Sequence, residues 1–432
     1  MPVWRPSSDQ PRRRPAARGV RTAAGPTVRT AALSALPDWQ ARLALMAACT
    51  VPGVLARLGG AHLPAPLGIV VFGGGVMAAA FMLASAAEAA EIDVPPGLAV
   101  AGVAFVAVLP EFVIEVYFAF SGQVEFVTAS LTGSTRLLLG FAVGMPALAS
   151  FVLTRRGRPR VTTVEIGERH RLDLAVIAAA SLYAPVIVLR GHLSWQDALV
   201  LLGLYFVYMR LNSAGSPEPP HLVGIAAELG NLPKQERKRW VVGIMAFSAV
   251  AVVVSAEPFA NSVLLSGTAL GVSPYLLVQW LVPLATEMPE LVIAFVLVTH
   301  ERAGQAVAVL LSSAVSQWTF ALGTLPLAYK AGAGVGPLPL LGREQVELLL
   351  TMGQGLLAVA MLVTLRLERR DATLMLGLFV AQLAIPSLVL RAAATLGYLV
   401  LAVDLFSSRR WAIPTLARAL RATRSASSSD LP

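Results

Sequence analysis

The chain has 432 residues, of which 56% are hydrophobic and 14% are charged, and its mean hydropathy is +0.70. Soluble domains carry about 25% charged residues, so this deficit, spread over apolar stretches of about 20 residues, predicts a polytopic helical membrane protein. Soluble enzymes and secreted disulfide scaffolds are excluded. The single cysteine, Cys49, and five scattered histidines show no disulfide or metal-ligand spacing, so no cofactor is expected.

The formal net charge of +9 would indicate nucleic acid as a partner of a soluble protein. In a membrane protein the positions of the basic residues set topology instead, so no nucleic-acid partner is expected. Residues 1–42 are rich in Pro, Ala and Arg without an apolar period, which predicts a disordered basic cytoplasmic arm. It does not resemble a signal peptide, because the first apolar run begins well after the arginines.

Twelve apolar segments follow, of which the first and last are the weakest. They lie at 43–60, 67–90, 96–120, 124–153, 172–190, 194–211, 240–269, 273–299, 305–330, 346–366, 372–390 and 393–406. With this count and a cytoplasmic N-terminus, most Lys and Arg residues fall on the cytoplasmic side, as the positive-inside rule requires. Both termini are therefore expected in the cytoplasm. This topology indicates an inner-membrane location, and the high Ala, Arg and Gly content suits a GC-rich prokaryote.

A polar loop at 212–239 divides the membrane region into halves at 43–211 and 240–406. Residues 407–432 form a basic tail that reads as an amphipathic helix on the inner leaflet, with anionic membrane lipid as its partner. The division suggests an internal repeat, because many transporters consist of two inverted halves around a midplane site.

The two halves share a Pro-Glu motif. Residues 108–114 read Val-Leu-Pro-Glu-Phe-Val-Ile, and residues 287–293 read Glu-Met-Pro-Glu-Leu-Val-Ile. Glu111 and Glu290 thus lie within apolar segments, where a carboxylate is expensive and usually handles ions or protons. The proline before each glutamate removes a backbone donor and predicts a local helix break, whose free carbonyls can face a cation.

A second element recurs at the same offset. Ser134, in the run at 133–138, follows Glu111 by 23 residues, and Ser313, in the run at 312–317, follows Glu290 by 23 residues. Five spans per repeat would turn the second copy over and bring both glutamates to similar depth. The sequence therefore predicts an all-α polytopic membrane protein with two inverted five-helix repeats and about two flanking helices.

These elements resemble the alpha repeats of the calcium/cation antiporter superfamily, which includes sodium/calcium and proton/calcium exchangers. The similarity covers about 105–146 and 284–326, and Ala285–Glu290 is similar to the family's Gly-Thr-Ser-Leu-Pro-Glu. The resemblance implies a secondary cation antiporter that moves calcium or a related cation by alternating access. It also implies a ligand set, which comprises Glu111, Glu290, Thr286, Ser134 and Ser313.

The departures from the family pattern bear on the coupling ion. The first copy has Ala107, Val108 and Leu138 where the family has Thr, Ser and Asn, and the second has Glu287 for Ser and Gln317 for Asp or Asn. Glu287 and Gln317 join the candidate ligands. Sodium needs several neutral oxygens, whereas a proton needs only a titratable carboxylate, so these losses favour protons over sodium.

Two further charges lie within spans. Glu115, four residues after Glu111, is either a proton relay or a solvated group near the outer interface. Arg136 either neutralises a glutamate or points away from the site, and the sequence leaves both open. The sequence leaves two other functions open: a degenerate exchanger with a structural or sensing role, and a membrane enzyme acting on lipid-linked substrates. The oligomeric state also stays open.

Overall fold

The structure is a computed structural model that describes residues 39–93, 108–155, 162–213, 222, 224–334, 336–383 and 387–421. It is helical almost throughout these ranges. The helices of the first half are α1 (Trp39–Leu58), α2 (Ala65–Ala90), α3 (Leu109–Phe120), α4 (Val124–Arg155), α5 (Arg171–Arg190) and α6 (Trp195–Ser213).

The remaining helices follow the loop between the halves. They are α7 (Ile225–Gly230), α8 (Lys234–Leu270), α9 (Pro274–Thr286), α10 (Met288–Thr299), α11 (Ala303–Gly332), α12 (Gly342–Leu362), α13 (Arg369–Leu383), α14 (Leu388–Ser408) and α15 (Ile413–Arg421). Short strands stand between them: β1 (Thr163–Glu165), β2 (His192–Leu193), β3 (Leu338–Pro339) and β4 (Arg366–Glu368).

Each of the twelve predicted segments coincides with helix in the described ranges. Eight of the described helices are long and apolar enough to cross a membrane, or nine if α9 and α10 are one span with a 57° bend. The predicted weak last segment is longer than expected, since α14 has 21 residues.

Several predicted boundaries shift. Residues 39–42 are expected in the arm but form the start of α1. The rest of the arm, residues 1–38, lies outside the described ranges, and so do residues 96–107 of the third segment. The sequence predicts the basic run at 234–239 to be part of the loop, but these residues form the first turns of α8, which begins directly after Pro233 and extends beyond its apolar part. Residues 413–421 of the tail are helical, and 422–432 lie outside the described ranges.

The strands form antiparallel pairs that join loops distant in the chain. Thr163 lies opposite Glu368 in the β1–β4 pair, and His192 lies opposite Pro339 in the β2–β3 pair. Paired segments must lie on the same side of the membrane. The alternation of the predicted spans meets this requirement, since it places 163–165 with 366–368 on one side and 192–193 with 338–339 on the other.

An apolar cluster separate from the main core joins α1, α2, α7 and α8. Its buried members are Leu43, Met82, Ala86, Ala89, Ile225, Leu229, Val241 and Ile244. Beside it, Arg237 of α8 donates two hydrogen bonds to Asp93, 2.8 and 2.9 Å long, and two more to the carbonyls of Gly230 and Leu232. Arg237 therefore fastens the chain that follows α2 and the α7–α8 turn to the start of α8.

We expect Asp93→Asn to lower the thermal stability of the detergent-solubilised protein at pH 7. Hydrogen bonding to Arg237 holds the pKa of Asp93 below its usual value. This stabilisation is complete above the ordinary aspartate pKa of about 4 and is lost as the pH falls through the lowered value. The difference between variant and wild type should therefore shrink as melting curves are recorded from pH 7 towards pH 3.

Glu257→Gln is the matched control, because its ion pair with Arg57 is 2.5 Å long but exposed. Exposed pairs contribute about 0–1 kcal/mol. A variant at Asp93 that melts like the control at pH 7 would contradict the prediction.

Candidate functional site

The two Pro-Glu motifs begin helices in the same way. Helix α3 starts one residue before Pro110, and α10 starts one residue before Pro289, so Glu111 and Glu290 each lie in a first helical turn. The first backbone N–H groups of a helix have no partner within it, and its dipole favours negative charge there. Each motif therefore sets a carboxyl group against a helix N-terminus inside the membrane. In the second copy, the 57° bend at Glu287 is the helix break that the proline predicts.

Glu287 lies at the centre of the site. It separates α9 from α10, is 1% exposed, and accepts a hydrogen bond from the hydroxyl group of Ser134. Gln317 Nε2 donates to Glu287 Oε1 and to Ser134 Oγ, both at 3.3 Å. The side chains of Glu111 and Glu287 lie close enough to interact directly. Residues from both halves of the chain thus meet at one carboxyl group.

The neighbouring acids are buried with unused oxygen atoms. Glu111 is 3% exposed, Glu290 is 7% exposed and Glu115 is fully buried. Within the described residues, Oε2 of Glu111, Oε2 of Glu290, both carboxyl oxygens of Glu115 and Oε1 of Gln317 accept no hydrogen bond. Buried carboxyl oxygens without donors are costly unless a proton or a cation occupies them.

The remaining candidates lie on the helices that carry the central residues. Thr286 directly precedes Glu287 in the chain, and its hydroxyl group donates within its own helix to the carbonyls of Val282 and Pro283, which leaves its lone pairs free to accept. Ser313 is half-buried on α11, one turn before Gln317 and therefore on the same helix face. Glu115 is fully buried. This burial excludes the interpretation that it is a solvated group near the outer interface.

The helix that carries Gln317 is locally widened. Residues Gln317–Ala321 form a π-helical segment within α11, and such segments occur frequently at functional sites. The equivalent position of the first copy, Leu138, lies in the regular helix α4. Nothing in the spacing of the sequence motifs indicates this difference.

Arg136 points away from the acids. Its Nη2 lies 2.8 Å from Glu347 Oε2 on α12, and its guanidinium lies over the ring of Trp280, 5.4 Å from the centroid. The structure thereby decides between the two alternatives that the sequence left open: Arg136 pairs with Glu347 and does not neutralise Glu111 or Glu290.

Among the described residues, no three His, Cys, Asp or Glu side chains converge closely enough to hold a metal ion by themselves. A cation bound near Glu287 would therefore also need neutral oxygens. Ser134, Thr286 and Gln317 supply hydroxyl and amide oxygens at this point, which suits a hard cation such as calcium.

Comparison with known proteins identifies the family. The sodium/calcium exchanger protein family matches the chain over residues 64–213 and 240–388, so the chain belongs to this family. The match covers both halves and confirms the resemblance inferred from the repeats. Comparison with curated protein sequences finds no match.

Solved structures show the same architecture. The crystal structure of the H+/Ca2+ exchanger CAX is 32% identical, with a TM-score of 0.84 over 90% of this chain and 98% of that one. The sodium-calcium exchanger NCX_Mj is 20% identical, with a TM-score of 0.51 over 77% of this chain and 99% of that one. YfkE is 15% identical, with a TM-score of 0.57 over 83% of this chain and 99% of that one. These two structures share the fold. The fold is therefore the expected all-α polytopic one, with two inverted five-helix repeats and flanking helices.

Helices α4 and α9 touch through their backbones beside the site. A Cβ atom at Gly133 would lie 1.9 Å from the carbonyl oxygen of Gln279. We expect Gly133→Ala to push α4 away from α9, separate Ser134 from Glu287 and destabilise the protein by about 1–3 kcal/mol, as overpacking does. Melting curves in detergent without calcium measure the loss of stability. The additional stabilisation by calcium measures the damage to the site around Ser134 and Glu287.

The control for this substitution is Gly243→Ala on α8, where an added Cβ meets nothing within 4 Å. Alanine is favoured over glycine within helices by about 0.5–1 kcal/mol, so this variant should be as stable as the wild type or more so. Equal stability of the two variants would show that the α4–α9 contact is not tight.

Proposed function

We propose that the protein is a secondary active antiporter that exchanges calcium, or a related cation, for protons by alternating access. Glu111 and Glu290 bind the cation, with Glu287, Thr286, Ser134, Ser313 and Gln317 as further ligands. The observation that carries the proposal is the buried junction at Glu287, where carboxyl groups of both repeats meet hydroxyl and amide oxygens. The similarity to the H+/Ca2+ exchanger CAX supports it.

Several features favour protons over sodium as the coupling ion. Glu111 and Glu287 are neighbouring carboxyl groups in a buried site, and a proton on one of them relieves the repulsion between two negative charges when no cation is bound. The first repeat supplies Val108 and Leu138 where hydroxyl and amide ligands would serve sodium. A calcium ion and protons compete directly for the same carboxyl oxygens, which gives exchange without a separate sodium site. Glu115, one turn from Glu111, is placed to pass protons towards it.

The other candidate functions find less support. A degenerate exchanger is favoured by Ala107, Val108, Leu138 and Arg136. Of these, Arg136 no longer counts, because it pairs with Glu347 instead of the acidic site, and the three apolar residues are as expected for a site that needs no sodium ligands. A membrane enzyme would be expected to place its acidic groups at a membrane face, whereas these acids lie within spans. The transported cation is the substrate, and we propose no other cofactor.

We further propose that the protein resides in the cytoplasmic membrane of a prokaryote, with cytoplasmic termini and anionic lipid against its basic tail. In α15, Leu416 is buried, while Trp411 just before the helix is 70% exposed. Arg171 Nη1 donates to Thr415 Oγ1 at 2.8 Å and ties this helix to α5. The tail helix thus packs against α5, and Trp411 just before it is available to the lipid interface.

Uptake of calcium-45 into inside-out vesicles tests the function. We expect an imposed proton gradient to drive uptake in the wild type and an imposed sodium gradient to drive none. Glu111→Gln and Glu290→Gln should each reduce proton-driven uptake to background, because each removes a negative charge that the cation must balance.

Glu257→Gln serves as the control, since Glu257 is half-exposed and pairs with Arg57 outside the site. Uptake that survives both glutamine substitutions would overturn the paired-glutamate site. Uptake driven only by sodium would overturn proton coupling while keeping calcium exchange.

A further inference from the structure

A second charged cluster is buried on the other side of α4. Glu347 of α12 forms ion pairs with Arg136 of α4 and with Arg391 of α14. All three side chains are at most 4% exposed. We call these residues the arginine–glutamate triad. Two guanidinium groups face one carboxylate, so the triad is a buried, positively charged group that the exchange mechanism does not use.

The triad is also hydrogen-bonded to α9, the helix that ends at Glu287 in the ion site. Gln279 of α9 donates through Nε2 to Glu347 Oε2 at 3.0 Å and accepts from Arg391 Nη1 at 3.0 Å. Its main-chain carbonyl is the one that touches Gly133. Helices α4 and α9, which supply Ser134 and the approach to Glu287, are therefore joined to α12 and α14 by one network.

The network continues along α4. Gln354 of α12 donates to the main-chain carbonyl of Arg136 at 2.8 Å, and Gln382 of α13 donates to Gln354 Oε1 at 2.9 Å. Arg136 Nε donates to the carbonyl of Thr132 within α4 at 3.0 Å. Both the side chain and the backbone of Arg136 are thus fixed to neighbouring helices.

Ser134 and Arg136 occupy opposite faces of α4. Residues two apart in an α-helix differ by about 200° around its axis. Ser134 meets Glu287 on one face, and Arg136 meets Glu347 on the other. A rotation or axial slide of α4 that broke the triad would carry Ser134 away from Glu287.

We propose that Arg136 and Glu347 are positioning residues of the cation site. They fix the rotation and height of α4, so that the Ser134 hydroxyl group stays on Glu287. This inference rests on the proposed function, since the affected quantity is the affinity of the exchanger for its cation.

A purely structural role is distinguishable, because a buried ionic cluster is not required for stability. Replacing such a triad with apolar residues of similar volume often leaves the protein folded or makes it more stable, whereas removing one partner leaves an uncompensated buried charge. The triple variant Arg136→Met/Glu347→Leu/Arg391→Leu should therefore fold while the positioning bonds are absent.

The experiment measures the calcium dependence of transport in proteoliposomes, together with melting curves. We expect the triple variant to stay folded, with a melting temperature lowered only by the loss of both partners of Gln279, while its apparent KM for calcium rises about tenfold, the equivalent of one lost hydrogen bond. The maximal rate should change far less than KM. A folded triple variant with the wild-type KM would overturn the proposal.

A double-mutant cycle tests whether the effect passes through Ser134. In a Ser134→Ala background, the triple replacement should raise KM by much less than it does in the wild type, because the contact that it disturbs is already absent. Independent, multiplicative effects on KM would overturn the proposal.

If the triple variant does not fold, Arg136→Lys tests the proposal instead, since lysine keeps the charge but not the planar fork of the guanidinium group. A KM raised several-fold supports the proposal, and an unchanged KM overturns it.

The matched control is Glu125→Gln. Glu125 and Arg343 form an exposed pair 3.4 Å apart that joins the same two helices, α4 and α12. This variant should keep the wild-type KM, and a rise equal to that of the triple variant would overturn the proposal. A wild type that transports no calcium would instead overturn the proposed function, and it would be recognised before any variant is compared.

Discussion

The burial of Glu111, Glu287 and Glu290 among apolar helices is the constraint on which the rest of the structure depends. A carboxyl group inside a membrane protein needs donors, a proton or a cation. Here two helices begin at the Pro-Glu motifs, so that Glu111 and Glu290 lie in their first turns, and Ser134 and Gln317 donate hydrogen bonds to Glu287. These contacts require the backbones of α4 and α9 to touch. The residue before Ser134 is therefore a glycine, Gly133, because a side chain there would collide with the carbonyl group of Gln279.

Positive charge within the membrane is kept apart from this acidic centre. Arg136 and Arg391 converge on Glu347, Arg391 also donates to the side chain of Gln279, and α4 stands between the two clusters. A guanidinium group beside Glu111 or Glu290 would compete with any cation for the same oxygens. The segregation therefore lets a helix close to the site carry a fully buried arginine without closing the site to cations.

Much of this arrangement could be predicted from the sequence, because it is local or repeated. The Pro-Glu motifs indicated both helix starts, and the common offset led to Ser134. Two features could not be predicted. The π-helical turn at Gln317 depends on how α11 packs against its neighbours, and no residue type marks it. The partner of Arg136 lies far along the chain on α12, and nothing near Arg136 identifies Glu347 among the other acids.

The small β1–β4 pair has a consequence for how the chain is assembled. Its side-chain link, Glu165 to Arg366, joins residues 201 positions apart. At a synthesis rate of about 5–20 residues per second, β1 waits on the order of 10–40 seconds for its partner strand to emerge. During this interval the first membrane half lacks the β1–β4 strand pair, and Arg136 lacks Glu347 as its counter-charge. The counter-charge of Arg136 is therefore supplied only when the C-terminal helices are complete.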